Sequence, residues 1–141
     1  MNPILIVVAP YYTAISAMLV AGATAAIEAA NYPFEIVEVP GALEIPAAIS
    51  MAHESGHYEG FVALGCVLRG ETSHYDTVAN ESARGLQDIA LREHAAIGNG
   101  ILTCETEQQA IVRADVAQGN KGGEAARAAL RLIALRTQFG V

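Results

Sequence analysis

The sequence predicts an α/β fold in which helices cover both faces of a parallel sheet. Short apolar runs rich in β-branched residues alternate along the chain with longer segments whose apolar residues recur at helical spacing. Such alternation is typical of parallel strands joined by helical crossovers. No linker, repeat or low-complexity segment interrupts the pattern, so we expect a single domain over residues 1–141.

Four segments have the composition of buried strands. They are Pro3–Ala9, Phe34–Val39, Gly60–Leu68 and Ile97–Cys104. The first reads PILIVVA and is apolar throughout, which is typical of a strand covered on both faces. We therefore expect the sheet to lie in the middle of the molecule.

Helices are predicted between and after these strands. The predicted helices are Ala14–Ala30, Leu43–Glu54, a long one up to His94, a short one ending at Ala114 and a last one ending near Gln138. Thr13 is the expected N-cap of the first, and Gly56 is expected to end the second. Thr106 and Gln109 have the spacing of a capping box. Asp115–Gly123 is predicted to be a loop.

The composition indicates that part of the surface meets other protein. Hydrophobic residues make up 52% of the chain and charged residues 16%, against about 25% charged in a typical soluble domain. The longest apolar runs span about eight residues, whereas a membrane-spanning helix needs about 20. No basic segment leads into an apolar run, so we expect no secretory signal and no membrane contact. Oligomerisation is the remaining explanation.

The charge and the cysteines restrict the expected partners and the expected cellular compartment. The net charge is −7 and no basic stripe occurs, so we expect no nucleic-acid partner. Cys66 and Cys104 lie in apolar strand segments without zinc-ligand spacing. They are predicted to be buried free thiols in a reducing cytoplasm.

Ligands of open parallel sheets bind beyond the carboxyl ends of the strands. That rule points to the loops Pro10–Thr13, Pro40–Glu44 and Arg69–His74 and to the surroundings of Cys104–Thr106. No dinucleotide-binding glycine fingerprint follows the first strand, and no Walker motif occurs. The function of these loops is therefore indicated only by their own side chains.

The loop before the long helix is a candidate phosphate site. Gly70 permits a tight turn, Thr72 and Ser73 offer hydroxyls, and a helix N-terminus attracts anions. His74 would lie in the first turn, where the helix dipole disfavours a protonated ring and leaves it able to accept a proton. The alternative is an ordinary Ser73 cap with Asp76 in the first turn and a surface histidine.

Other candidate side chains each carry a weaker signal. Glu44 could accept hydrogen bonds from a ligand, or could simply be an acid placed favourably at a helix N-terminus. Tyr11 and Tyr12 could stack on a planar ring, or could pack within their loop. Arg113 near a helix C-terminus and Lys121 in a glycine-containing loop are basic groups of common kinds. We expect three further histidines to be solvated: His53, His57 and His94.

At these loops the sequence resembles the lumazine synthase family of riboflavin biosynthesis. Four blocks carry the resemblance in order: VPGALEIPAA, GCVLRGETSHYDTVANESARGL, IGNGILTCETEQQAIVRA and GNKGGEAARAAL. The resemblance implies a flavodoxin-like fold, a three-layer sandwich with a four-stranded parallel sheet. It also implies condensation of 5-amino-6-(D-ribitylamino)uracil with 3,4-dihydroxy-2-butanone 4-phosphate to 6,7-dimethyl-8-ribityllumazine, phosphate and water, without a metal or organic cofactor.

The resemblance also assigns roles to individual positions. His74 matches the family's proposed proton shuttle, and Arg113 matches the arginine that binds the substrate phosphate. The remaining matches line the substrates: Glu71 and Thr72 at the phosphate, Ala42, Leu43 and Glu44 at the uracil and ribityl chain, Cys66, Val67 and Leu68 at the pyrimidine through their backbone, Asn99 near the ring from a neighbouring chain, Lys121 close to the ligand, and Tyr11 stacking on the pyrimidine.

Several features depart from the family pattern. Pro10 stands where an arginine commonly precedes the stacking aromatic, so Tyr12 is an alternative to Tyr11. Glu71 is an acid beside an expected phosphate, and we expect it to contribute mainly its backbone.

Family members form pentamers with sites between adjacent subunits, and some pentamers assemble into sixty-subunit shells. The short segment before the first strand favours an isolated pentamer. Two other functions remain open on the sequence. One is a flavin- or lumazine-binding protein that has lost turnover, and the other is a structural shell protein.

Overall fold

The computed structural model describes residues 1–141 as four strands and five α-helices. In chain order the elements are β1 (Ile4–Val8), α1 (Thr13–Ala29), β2 (Phe34–Glu38), a single 3₁₀ turn (Ala42–Glu44), α2 (Ile45–Ser55), β3 (Gly60–Leu68), α3 (His74–Glu93), β4 (Ile97–Cys104), α4 (Glu107–Ala114) and α5 (Lys121–Phe139). The predicted alternation of strands and helices is confirmed.

The strands form one parallel sheet in the order β2-β1-β3-β4. β1 pairs with β2 on one side and with β3 on the other, so that Ile6 lies between Ile36 and Val62. The chain thus moves outward from β1 to β2 and then returns to add β3 and β4 on the other side. The crevice between β1 and β3, where the direction reverses, is where such sheets bind ligands.

Helices cover both faces and create two separate cores. Ile4, Ile6 and Val8 of β1 face α1, α4 and α5, whereas Leu5 and Val7 face α2 and α3. Alternate residues of a strand point to opposite faces, so a strand covered on both sides must be apolar at every position. All five residues of β1 are buried, which confirms the interpretation of its continuous apolar run.

The edge strand β2 is more exposed than the other three strands. All of its residues except Phe34 are exposed, including Ile36 and Val37 at 42% and 40% of their surface. Other apolar side chains are also exposed, among them Leu91 on α3 and Phe139 at the end of α5. These groups are the apolar surface that the low charge content predicted.

The predicted end of α2 and the predicted capping box of α4 are confirmed. Gly56 adopts a left-handed conformation with φ +73° and ends α2. At α4, Thr106 Oγ1 accepts from Gln109 N, and the Gln109 side chain accepts from the Thr106 N–H, so both halves of the capping box form. These devices work because they satisfy backbone groups that helix ends leave unpaired.

Three predicted boundaries were wrong. Thr13 does not cap α1: it is the first helical residue, and Tyr12 precedes the helix without a side-chain cap. The predicted helix at Leu43 begins as a 3₁₀ turn, and α2 starts only at Ile45. The last helix begins at Lys121, inside the predicted loop, because Asn120 caps it by accepting from Gly123 N.

Cys66 and Cys104 are buried and unpaired, as predicted. None of the helices combines the length and the apolar character needed to cross a bilayer.

Candidate active site

A cavity of about 480 Å³ opens at the carboxyl ends of β2, β1 and β3. Its size lies in the range of small-molecule sites. It is lined by Tyr11, Tyr12, Pro40, Gly41, Ala42, Leu43, Glu44, Cys66, Val67, Leu68, His74 and Val78. We call it the His74 cavity. Eight of the predicted site residues therefore meet at one place, although they come from four separate segments of the chain.

The two tyrosines that follow β1 have different surroundings. Tyr11 is 76% exposed at the cavity mouth, whereas Tyr12 is half-buried and packs against the core beside α1. Their rings meet edge to face with centroids 5.0 Å apart. Burial is the largest cause that raises the pKa of the Tyr12 hydroxyl, followed by the nearby Cys66. Tyr11 thus presents a free aromatic face, and Tyr12 supports it from below.

The 3₁₀ turn brings a carboxylate to the same cavity. Glu44 N donates to Gly41 O at 3.1 Å, which closes the turn directly after β2. Ala42 is buried beneath it, while Leu43 and Glu44 are exposed. The short turn therefore leaves the side chains of Leu43 and Glu44 exposed at the cavity.

The end of β3 forms the floor of the cavity. Cys66 and Val67 are buried and face opposite cores, and Leu68 is partly exposed. Burial raises the pKa of the Cys66 thiol to about 12. A thiol that stays protonated is a poor nucleophile, so Cys66 serves this floor as a small apolar group and through its backbone.

His74 is the first residue of α3 and is exposed toward the cavity. Its N–H donates to Thr72 Oγ1 at 3.3 Å, a turn that the loop makes with its own hydroxyl. Ser73 occupies the N-cap position, but its hydroxyl makes no capping hydrogen bond, so the ordinary Ser73 cap of the alternative interpretation does not form. Glu71 and Thr72 are exposed and do not line the His74 cavity.

Basic side chains line a different cavity, of about 380 Å³, beside β4. Its lining residues are Ile101, Leu102, Thr103, Arg113, Gly119, Lys121 and Glu124. We call it the Arg113 cavity. Arg113 Nη1 donates to Gln109 O at 3.0 Å, and Lys121 Nζ pairs with Glu124 Oε1 at 3.2 Å. The remaining guanidinium donors of Arg113 are free, so this cavity suits a phosphate or carboxylate ligand.

Gly119 explains how the two basic residues come together. A Cβ at Gly119 would approach the Arg113 Cα and carbonyl oxygen to 2.8 Å. Only a residue without a side chain lets the chain fold back this closely over the end of α4. Lys121, placed by this return at the start of α5, then lies in the same cavity as Arg113.

Asn99 belongs to neither of these two cavities. It lies on β4, and its Oδ1 accepts from Ile101 N at 2.9 Å. It lines a third cavity of about 400 Å³ between α3 and β4, together with Arg69, Tyr75 and Asp76. Within one chain, therefore, eight predicted residues including His74 line the His74 cavity, Arg113 and Lys121 line the Arg113 cavity, and Glu71, Thr72 and Asn99 line neither.

Sequence reasoning missed some lining residues. Val78 lies one turn beyond His74 on the same helix face and closes the His74 cavity from that side. Glu124 was not singled out, although its spacing from Lys121 is that of a helical ion pair once α5 is known to begin at Lys121. His53 was predicted to be solvated but is half-buried, with its ring 6.0 Å from that of Phe61. His57 and His94 are exposed, as predicted.

No cluster of three or more His, Cys, Asp or Glu side chains is arranged to hold a metal ion. The polar and aromatic groups that line the cavities are an imidazole, a carboxylate and an aromatic face in one, and a guanidinium with an ammonium group in another. These groups can transfer protons, accept hydrogen bonds from hydroxyls, stack on a planar ring and hold an anion.

The sheet order and the cavity define a flavodoxin-like α/β protein with a small-molecule site at the reversal point of its sheet. The family model for 6,7-dimethyl-8-ribityllumazine synthase matches residues 2–137. The chain therefore belongs to the 6,7-dimethyl-8-ribityllumazine synthase family, a family of transferases. This confirms the family resemblance and the fold expected from it.

Several curated relatives carry that enzyme's name. The protein of Methylobacterium radiotolerans is 59% identical over 133 residues, which are 94% of this chain and 81% of the relative. The protein of Erythrobacter litoralis is 55% identical and covers 96% of both chains. The protein of Sphingopyxis alaskensis is 52% identical over 100% of this chain and 99% of its own. All three are named 6,7-dimethyl-8-ribityllumazine synthase.

Proposed function

We propose that this chain condenses 5-amino-6-(D-ribitylamino)uracil with 3,4-dihydroxy-2-butanone 4-phosphate to form 6,7-dimethyl-8-ribityllumazine, phosphate and water, the penultimate step of riboflavin biosynthesis. Family membership supports the reaction. The observation that carries it within this chain is the meeting of His74, Glu44 and Tyr11 in one cavity at the reversal point of the sheet. His74 can carry protons, Glu44 can accept hydrogen bonds from the ribityl hydroxyls, and Tyr11 can stack on the pyrimidine ring. Together these properties suit the ribitylaminouracil substrate.

The His74 cavity is proposed to bind the ribitylaminouracil. Tyr11 stacks on the pyrimidine, because its ring is exposed whereas that of Tyr12 packs against the core. The Glu44 carboxylate accepts hydrogen bonds from ribityl hydroxyls, with Ala42 and Leu43 alongside. The backbone of Cys66–Leu68 hydrogen-bonds the polar edge of the pyrimidine at the end of β3.

Positively charged groups are proposed to hold the phosphate of the four-carbon substrate. Arg113 offers free guanidinium donors, and Lys121 lies in the same cavity. The loop before α3 adds backbone N–H groups at Glu71 and Thr72 beside the start of a helix. Fixed donors of this kind stabilise the charge on a departing phosphate.

The reaction then proceeds by proton transfers at bound substrates. The 5-amino group attacks the ketone carbon, and loss of water gives an imine. Elimination breaks the carbon–oxygen bond to phosphate, and the resulting enol tautomerises to a ketone. The ribityl-substituted nitrogen closes the ring onto that carbonyl, with loss of a second water. The imidazole of His74 accepts and returns protons in these steps, and holding the two substrates together supplies much of the acceleration.

The complete site is proposed to lie between two copies of the chain. Arg113 and Lys121 line one cavity, and His74 lines another, so neither cavity has all the groups that the reaction needs. A ring of copies brings the Arg113 cavity and Asn99 of one chain to the His74 cavity of the next.

For the size of the assembly, we propose a pentamer rather than a sixty-subunit shell. Light scattering should give a mass near five chains, and a mass near sixty chains would contradict the isolated pentamer.

One assay tests the proposed reaction. The purified protein is mixed with both substrates, and the absorbance and green fluorescence of the lumazine product are followed. Product formation that requires both substrates and protein is expected. Tight riboflavin binding without product would contradict turnover and indicate a binding protein instead.

We also propose a cytoplasmic location for the protein. The two cysteines remain unpaired, as is usual in a reducing compartment, and cell fractionation would test the location.

A further inference from the structure

Arg69 lies at a junction of three elements. It is the first residue after β3, and its N–H donates to Cys104 O at 3.0 Å, which continues the pairing of β3 with β4 by one step. The backbone of Arg69 is therefore fixed to the rigid sheet. Its side chain starts from a well-held position just before the loop that leads to His74.

The side chain of Arg69 links this sheet end to α3. Its Nε lies 3.1 Å from Glu105 Oε1 and 2.9 Å from Glu105 Oε2, and its Nη2 lies 3.4 Å from Asp76 Oδ1. The guanidinium carbon stands 4.3 Å from the centroid of the Tyr75 ring. One planar cation thus bridges the residue after β4 and two residues in the first turn of α3. A guanidinium can make these contacts together because it is flat and has donors on several edges.

The loop between Arg69 and His74 has few other restraints. Residues 70–73 are all exposed, and a Cβ placed at Gly70 would have no atom within 4 Å. The only hydrogen bonds are local: His74 N to Thr72 Oγ1, and the N–H groups of the next turn to Ser73 O. None of these bonds ties the loop or the first turn of α3 to the sheet. Tyr75 and Val78 pack the start of α3 against the core. The polar contacts that connect this turn to the end of the sheet are those of Arg69.

We propose that Arg69 is a positioning residue that fixes the first turn of α3 and thereby the imidazole of His74 relative to the bound substrates. This inference rests on the proposed function. Arg69 does not line the His74 cavity, so it acts through Tyr75 and Asp76, the two residues that follow His74. Exposed ion pairs contribute little to the stability of a whole domain, so the effect is confined to the turn that they hold.

Two substitutions separate positioning from general stability. Arg69→Met keeps an unbranched apolar stem and removes every polar contact of the side chain, and Arg69→Lys keeps the charge without the planar fork. Arg84→Met is the matched control, because Arg84 is an exposed arginine on α3 that also pairs with two acids, Glu81 and Asp88. The readouts are kcat, KM for each substrate, the Tm and amide hydrogen exchange over residues 70–77.

Arg69→Met should lower kcat about tenfold, the order expected for a modest misplacement of a reacting group, with both KM values nearly unchanged. Arg69→Lys should recover part of the loss, and Arg84→Met should match the unsubstituted protein. Exchange over residues 70–77 should accelerate in Arg69→Met while the Tm stays the same. Unchanged exchange in that segment would overturn the inference whether or not the protein proves active. So would an unchanged kcat in an active protein, or equal losses in both methionine variants.

Discussion

Replacing Arg113 by alanine should weaken the binding of the phosphate-bearing substrate selectively. Arg113 lies in the last turn of α4 and is exposed, and its one hydrogen bond within the chain is to Gln109 O at 3.0 Å. The side chain is therefore oriented but leaves most of its donors for a ligand. A hydrogen bond to a charged group contributes about 1.5–3 kcal/mol. Since 1.4 kcal/mol corresponds to a tenfold change, KM for the phosphate substrate should rise about 10- to 150-fold.

The assay varies the butanone phosphate at saturating ribitylaminouracil and follows lumazine fluorescence. Inorganic phosphate should inhibit the unsubstituted protein by competition with the same substrate, and should lose potency in Arg113→Ala in parallel with the rise in KM. Arg113→Lys keeps the charge but loses the bidentate geometry, so it should fall between the two. An unchanged KM for the phosphate substrate, or an equal rise in KM for the uracil substrate, would refute the assignment of Arg113.

Three further perturbations have defined outcomes. His74→Ala should lower kcat yet leave measurable turnover, because positioning of the substrates survives; full kcat would contradict the proton-shuttle role. Burial raises the pKa of Cys66 from 9.0 to about 12, so the unfolded thiol ionises first. The stability that Cys66 contributes should therefore persist below about pH 9 and be lost as the pH rises toward 12, and denaturant titrations of Cys66→Ala should show a weaker alkaline decline. Gly98→Ala should destabilise the fold by about 1–3 kcal/mol, because a Cβ there would overlap the Ala125 carbonyl. Gly70→Ala, which meets open space, should leave the Tm unchanged.

Strands were predictable from the sequence because burial on both faces leaves an unambiguous pattern. β3 and β4 have the bounds predicted for them, since every position of the internal strand β3 and most positions of the edge strand β4 are small or apolar. β2 was identified as a strand, but its exposure at the sheet edge was not foreseen. The order of the strands depends on which strands pair, and the composition of one strand does not indicate which strands lie beside it.

Helix starts were less predictable than helix ends. Gly56 ends α2 by a backbone conformation that glycine favours, so one residue carries the signal. The start of α5 depends on Asn120, which adopts φ +47° and caps the helix inside a segment rich in glycine. Two glycines at the following positions made that segment look like a loop. Gly122 tolerates no side chain because a Cβ there would overlap the Leu19 carbonyl, so Gly122 serves the close packing of α5 against α1. A Cβ at Gly123 would meet the Asn120 side chain that caps the helix.

The site was predictable as a set of loops but not as a set of contacts. The rule for strand ends and the family resemblance together selected residues that do meet in the His74 cavity. Neither indicated the bridge that Arg69 forms between Glu105 and Asp76, because these residues are distant in sequence and each is an ordinary surface charge. Nor did the residues themselves indicate that Arg113 would lie in a cavity separate from His74.

That separation supports the proposal that two copies of the chain complete each active site. Mixing two impaired variants tests this proposal, with the butanone phosphate kept far below the KM of Arg113→Ala so that each variant alone is slow. His74→Ala and Arg113→Ala subunits are unfolded together in equal amounts, refolded and assayed for lumazine formation. If each site takes His74 from one chain and Arg113 from the next, about a quarter of the sites in a random ring contain both residues, and activity should rise to about a quarter of that of the unsubstituted protein. Activity no greater than the average of the two variants alone, in mixed oligomers of unchanged mass, would contradict the shared site.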